Sequence, residues 1–196
     1  MNSLSLILLV GLLYVVLFGG LSILRREGLS NRFAVESIVV TLLFAGLALL
    51  FPQSINAILF LVVLYLVTMR VRLIVDLAIF FAKRHNFAMA DRLYALAGNI
   101  WPDPAGKMII AINQGVMEIS RKNLDKAILI IRNVLAAKEN SHLGIKHEAA
   151  AHYNLGVAYL KKEMPTQATN EFRTVLEIWP ASIYARRAEA ALNKKD

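Results

Sequence analysis

The 196-residue sequence contains no cysteine. This absence excludes disulfide bonds and thiol chemistry, and it agrees with a reducing compartment such as the cytoplasm. The sequence also has no glycine-rich phosphate loop, no Gly-x-Ser-x-Gly nucleophile elbow and no pair of carboxylates in apolar surroundings that would separate their pKa values. We therefore expect neither a catalytic site nor a cofactor.

Histidine is also scarce, and three of the four histidines recur at every fifth residue, as His142, His147 and His152. Residues five apart on a helix point about 140° away from each other, whereas paired zinc ligands on a helix are spaced i, i+4. The spacing predicts structural histidines and no metal site.

Charge is missing from the start of the chain, where residues 4–24 are uncharged and as long as the roughly 20 residues that cross a bilayer. No Lys or Arg precedes this run, and no small-x-small cleavage site follows it. A retained transmembrane helix is therefore favoured over a cleaved signal peptide.

A second apolar run covers residues 34–69 and is interrupted by FPQSIN at residues 51–56. Pro, Ser and Asn together favour a turn. The pattern predicts a hairpin of two spans, about 34–51 and 55–69. The alternative is one long tilted helix with a kink at Pro52.

The basic residues predict the orientation of these spans, because Lys and Arg are enriched in cytoplasmic loops. They cluster in the first connection and after the last span and are absent from the turn between them: Arg25, Arg26, Arg32, Arg70, Arg72, Lys83 and Arg84. Residues 1–70 are thus predicted to be a three-span membrane anchor with its N-terminus outside. Residues 71–196 would form a cytoplasmic domain.

Glycine and proline are absent between Ile55 and Asn86. The third span and the first helix of the next domain are therefore predicted to be one continuous helix, about 45 Å long. Such a joint contains no flexible linker, so it would hold the domain at a set angle above the membrane.

Residues 149–182 carry a repeat pattern in which small residues occupy positions 8 and 20, large apolar residues surround them, and proline stands at position 32. These residues are Leu155, Gly156, Tyr159, Ala168, Phe172, Val175 and Pro180. Residues 71–104 repeat the pattern with Ala78 and Ala90 at the small positions. Residues 108–141 repeat it less closely, because Gln114 and Glu118 replace apolar residues. Residues 183–193 would form a capping helix.

This pattern resembles the tetratricopeptide repeat family. The resemblance implies an all-α chain in which transmembrane helices precede a short α-solenoid of three helix-turn-helix repeats and a cap. The segment from Arg25 to Pro52 also resembles a family of small three-helix bacterial membrane proteins of unknown function, which supports three spans and a bacterial inner membrane.

In tetratricopeptide proteins the first helices of successive repeats line a groove that binds a peptide or helix. The equivalent positions here are Ile109, Ile112, Val116, Ile119, Ser120, Ala150, Tyr153, Val157, Leu160 and Lys161. They predict an apolar groove for an amphipathic helix. The family's clamp for a C-terminal carboxylate is matched by Asn154 alone. In the alternative interpretation the same face packs against the protein's own helices.

The sequence therefore predicts a non-enzymatic, membrane-anchored adaptor that recruits or assembles a protein partner. The alternative is an accessory subunit or assembly factor of a larger integral membrane complex. A net charge of +8 favours contact with an anionic lipid surface. The basic pairs are scattered among acids without a recognition motif, so we expect no nucleic-acid binding.

Overall fold

The structure, a computed structural model, describes residues 2–24, 31–51, 56–137 and 143–193. These residues form helices and no strands, which confirms the predicted all-α class. The helices are α1 Ser3–Leu24, α2 Asn31–Leu50, α3 Ala57–Lys83, α4 Phe87–Asn99, α5 Pro104–Ser120, α6 Leu124–Ala136, α7 Ile145–Lys161, α8 Pro165–Ile178 and α9 Ile183–Asn193.

Some residues on which the sequence predictions rest lie outside the described residues. They are Arg25 and Arg26 of the first connection, residues 52–55 of the predicted turn, and His142.

The first three helices are long and apolar enough to cross a membrane. α2 and α3 are separate helices that pack side by side, which excludes the alternative of one kinked helix. Near one end of the pair, the rings of Phe44 and Phe60 lie 5.2 Å apart. Near the other end, Glu36 of α2 accepts hydrogen bonds from Arg70 of α3. The two helices are therefore antiparallel, as in a hairpin.

Close approach and one polar contact connect α1 to this hairpin. A Cβ atom on Gly11 would lie only 2.5 Å from the side chain of Thr41, so glycine allows α1 and α2 to approach closely. The hydroxyl of Tyr14 is hydrogen-bonded to that of Thr68 on α3, with 2.6 Å between the oxygens. Small residues and interhelical hydrogen bonds are the contacts that hold helices together in lipid.

α3 is unbroken over 27 residues, or about 40 Å. It begins at the N-cap Asn56, whose side chain accepts a hydrogen bond from the backbone N–H of Ile58. Its later part buries Val75 and Ala78 in a cluster with Ala90 of α4. The same helix thus belongs to the apolar bundle and to the first helical repeat.

From α3 onward the helices form two layers. α3, α5, α7 and α9 stand side by side in one layer, and α4, α6 and α8 pack behind them. The layers meet at small residues: a Cβ on Gly115 would lie 2.6 Å from Ile131, and one on Gly156 would lie 2.6 Å from Phe172. The alanine at position 20 of each repeat, Ala90, Ala127 or Ala168, is almost completely buried.

Each helix pair is joined by the same tight turn, which the sequence pattern did not predict. His85, Lys122 and Glu163 occupy position 15 of the three repeats, and each has positive φ, between 59° and 68°. The next residue donates its N–H to the carbonyl five residues earlier, as Met164 does to Tyr159 at 2.9 Å. This geometry is a Schellman C-cap, for which glycine is the usual residue.

We expect Glu163→Gly to stabilise the repeat domain by about 0.5–1 kcal/mol, because glycine adopts positive φ without a Cβ clash. The measurement is urea unfolding of the full chain in mild detergent. Arg173→Gly, at an exposed site inside α8, is the control and should destabilise by about 1 kcal/mol. An equal loss of unfolding free energy in Glu163→Gly and Arg173→Gly would contradict the left-handed geometry of the turn.

Candidate partner-binding surface

The predicted groove residues lie on α5 and α7, two neighbours in the first layer. Two of the predicted positions, Ile112 and Ile119, are only 5% and 6% exposed and belong to the same buried cluster as Leu155 of α7. Ala150 is also buried. For these three positions the prediction of an open groove needs correction, because the close packing of successive repeats covers them. They are core residues.

The other predicted positions are accessible. Those that are partly or largely exposed are Ile109, Val116, Ser120, Tyr153, Asn154, Val157, Leu160 and Lys161. Leu160 is 41% exposed. The accessible part of this face is therefore an apolar strip that ends in one lysine.

Two asparagines lie on the same strip at equivalent repeat positions. Asn113 is residue 6 of the second repeat, and Asn154 is residue 6 of the third. Both are half-buried, and each amide nitrogen donates to the carbonyl four residues earlier at 2.7 Å, to Ile109 and Ala150 respectively. Aligning the repeats would have revealed Asn113, which the sequence analysis missed. The two amides therefore recur at the same position of successive repeats and make the same backbone contact.

An aromatic cluster closes one end of the strip. The ring of Tyr153 lies 5.8 Å from that of Phe172 and 5.9 Å from that of Tyr184 on α9. Burial raises the pKa of Tyr184, so its hydroxyl stays neutral at physiological pH. The capping helix therefore packs against both helices of the third repeat, next to Tyr153 of the strip.

A charged cluster around one buried carboxylate lies where the first and second repeats meet. Glu118, only 2% exposed, accepts hydrogen bonds from Asn123 at 2.7 Å, Lys126 at 2.9 Å and Arg121 at 3.1 Å. Arg121 also donates to Asp91 of α4 at 2.6 Å. Burial raises the pKa of Glu118, but these hydrogen bonds and positive charges outweigh it, and its pKa is lowered. The departure from an apolar residue at position 11 is thus compensated by three hydrogen-bond donors to the Glu118 carboxylate.

The histidine that the sequence analysis assigned a structural role has a defined contact. Nδ1 of His152 lies 2.6 Å from a carboxylate oxygen of Glu171, and this contact joins α7 to α8. Among the described residues no group of three or more His, Cys, Asp or Glu is arranged to hold a metal ion.

One comparison with known proteins supports the assignment of the fold. No family model and no curated protein matches the sequence. Among solved structures, the chain is similar to the N-terminal domain of stress-induced protein-1 from C. elegans, with a TM-score of 0.50 and 17% sequence identity. The similarity covers 63% of this chain and 95% of that one. It supports a tetratricopeptide-like helical repeat.

Proposed function

We propose that this protein is a membrane-anchored adaptor that presents a short tetratricopeptide-like solenoid to a protein partner at the membrane surface. One observation carries the proposal. α3 is a single helix whose first part is apolar enough to span a membrane and whose last part is the first helix of the first repeat. The repeats are thereby fixed close to the anchor. The shared fold is one used for protein interaction and supports a non-enzymatic role.

The chemistry of the strip favours an amphipathic helix or peptide as the partner. Tyr153, Val157 and Leu160 supply apolar contacts, and Asn113 and Asn154 supply amide groups to the partner's polar atoms. A clamp for a terminal carboxylate needs several basic residues on the strip. Lys161 is the one basic residue among the described positions of the strip, so we propose recognition of a helix face.

The orientation of the anchor is part of the same proposal. Arg32 and Arg70 lie at the same end of the α2–α3 pair, where both contact Glu36. By the positive-inside rule this end faces the cytoplasm. The solenoid would then lie on the cytoplasmic side of a bacterial inner membrane, where its basic residues favour anionic lipid.

Site-specific crosslinking in native membranes tests the adaptor function. We expect a photoreactive amino acid at Val157 to capture one discrete protein, because this position is partly exposed in the middle of the strip. The matched control is the same amino acid at Arg173, an exposed position of α8 in the other layer, where we expect no such product.

Two results would count against the adaptor. One is capture of lipid alone, or of the protein's own helices, at Val157. The other is the same protein product from both positions, which would indicate general proximity without binding to the strip. Purification in mild detergent then separates an adaptor, which binds its partner reversibly, from a subunit in a complex of fixed stoichiometry.

A further inference from the structure

An ion pair marks a level on the membrane hairpin. The guanidinium group of Arg70 donates to both carboxylate oxygens of Glu36, at 2.6 and 2.8 Å, and Arg32 donates to the same carboxylate at 2.9 Å. Charged groups avoid the hydrocarbon core and settle at the lipid–water interface when their side chains reach it. This marker pair therefore identifies the end of the hairpin that lies nearest to the interface.

The distance along the helices restricts where this marker can lie. From Arg70 to the start of α3 at Ala57, and from Glu36 to the end of α2 at Leu50, each helix rises by only about 20 Å. The hydrocarbon core of a bilayer is about 30 Å thick. With the pair at one interface, the far ends of α2 and α3 lie about 10 Å short of the opposite interface, and with the far ends at the opposite interface the pair lies about 10 Å inside the core. In both arrangements the pair is not displaced outward from the membrane.

The same arginine holds the turn between α4 and α5. Its Nε donates to the carbonyl of Ile100 at 3.1 Å, and one terminal nitrogen lies 3.4 Å from the carbonyl oxygen of Trp101. This turn, which belongs to the repeat domain, is thus fixed at the level of the ion pair. The turn therefore lies beside the ion pair of the anchor hairpin.

Trp101, in the turn between α4 and α5, combines high exposure with an uncommon backbone conformation. Its side chain is 76% exposed, and its φ of 52° lies in the left-handed region that bulky residues rarely adopt. His85, Lys122 and Glu163 have similar φ in helix C-caps, so the exposure of a large apolar ring is the feature that distinguishes Trp101. Tryptophan is also the residue enriched at membrane–water interfaces, where its ring is in apolar surroundings and its N–H is hydrated.

We propose that Trp101 inserts into the interfacial layer of the bilayer and, together with the Arg70–Glu36 pair, fixes the height and tilt of the repeat domain. The proposal commits to lipid as the occupant, because the exposed apolar residues Leu66 and Val67 of α3 directly precede Arg70, which holds the turn of Trp101. It rests on the proposed membrane anchoring and adds a second contact with the membrane, within the repeat domain.

Tryptophan fluorescence tests this proposal, because the chain has two tryptophans, Trp101 and Trp179. The Trp179→Phe variant of the full chain leaves Trp101 as the reporter. In vesicles of phosphatidylethanolamine and phosphatidylglycerol we expect its emission to shift to shorter wavelength than in urea. Lipids brominated near the headgroup should quench it strongly, and aqueous iodide should quench it weakly.

Two control variants and one fallback comparison make the result specific. Trp101→Phe leaves Trp179, at the end of α8, which brominated lipid should not quench. If Trp179→Phe fails to fold, the emission and quenching of Trp101 are obtained by subtracting the signal of Trp101→Phe from that of the wild type. Leu12→Trp in a chain without the two native tryptophans places a reporter on an exposed site of α1, which should be quenched if the anchor is in the membrane.

Two outcomes would overturn the inference while leaving the anchor intact. In both, the α1 reporter is quenched by brominated lipid. In the first, Trp101 is quenched by iodide and not by lipid, so the turn faces water. In the second, neither agent quenches Trp101, so protein covers the turn instead of lipid. An unquenched α1 reporter would instead reject the membrane anchoring on which the inference rests.

Discussion

Gly156→Leu is expected to destabilise the repeat domain by about 3 kcal/mol, at the upper end of the usual cost of adding methylenes to a packed core. A Cβ at this position would lie 2.6 Å from the ring of Phe172, which is only 2% exposed and closed in by neighbours. The ring cannot move aside within a close-packed interior, so α7 and α8 must separate. The urea concentration at the unfolding midpoint should fall markedly.

The unfolding of the full chain in mild detergent can be followed by tryptophan emission, because both tryptophans lie in the repeat region. Gly98→Ala is the matched control. A Cβ at Gly98 would meet nothing within 4 Å, so alanine should be neutral or stabilise α4 by up to about 1 kcal/mol. A Gly156→Leu chain that unfolds at the wild-type midpoint would show that α7 and α8 do not meet at this glycine.

Glu118→Gln is expected to lower the free energy of unfolding at neutral pH by about 2 kcal/mol, since hydrogen bonds to charged groups contribute roughly 1.5–3 kcal/mol. Glutamine keeps the shape of the side chain but removes the charge that Lys126 and Arg121 contact. It also replaces one acceptor oxygen with a donor group, which faces the donors around it.

The pH dependence gives this prediction a second measurement. Folding lowers the pKa of Glu118, so the ionised carboxylate stabilises the fold fully above the unfolded-state pKa of about 4.3. That contribution is lost as the pH falls through the lower folded-state value. The difference in unfolding free energy between the wild type and Glu118→Gln should therefore be largest near neutral pH and disappear in acid.

Glu177→Gln, at an exposed position of α8, serves as the control and should change the unfolding midpoint little at any pH. The difference in unfolding free energy between the wild type and Glu118→Gln could instead persist unchanged into acid. The Glu118 charge would then not stabilise the junction between the first two repeats.

Local sequence determined the helices and their pairing. Runs without charge produced the three apolar helices, and the absence of glycine and proline between Ile55 and Asn86 allowed α3 to continue from the anchor into the first repeat. Small residues at fixed spacing, such as Gly156 and Ala168, indicated where paired helices meet. These signals depend on residues close in sequence, so the helices and their pairing could be predicted from this sequence alone.

The tertiary structure alone decided which residues of the predicted groove are accessible and which charges meet. Ile112 and Ile119 lie on the predicted face, but the cluster they share with α7 buries them. Arg121 contacts Asp91, and Arg70 contacts the backbone at Trp101, each across about thirty residues of sequence. Helical periodicity gives the direction of a side chain, whereas the angle between successive repeats sets its neighbours, and that angle arises from packing over the whole domain.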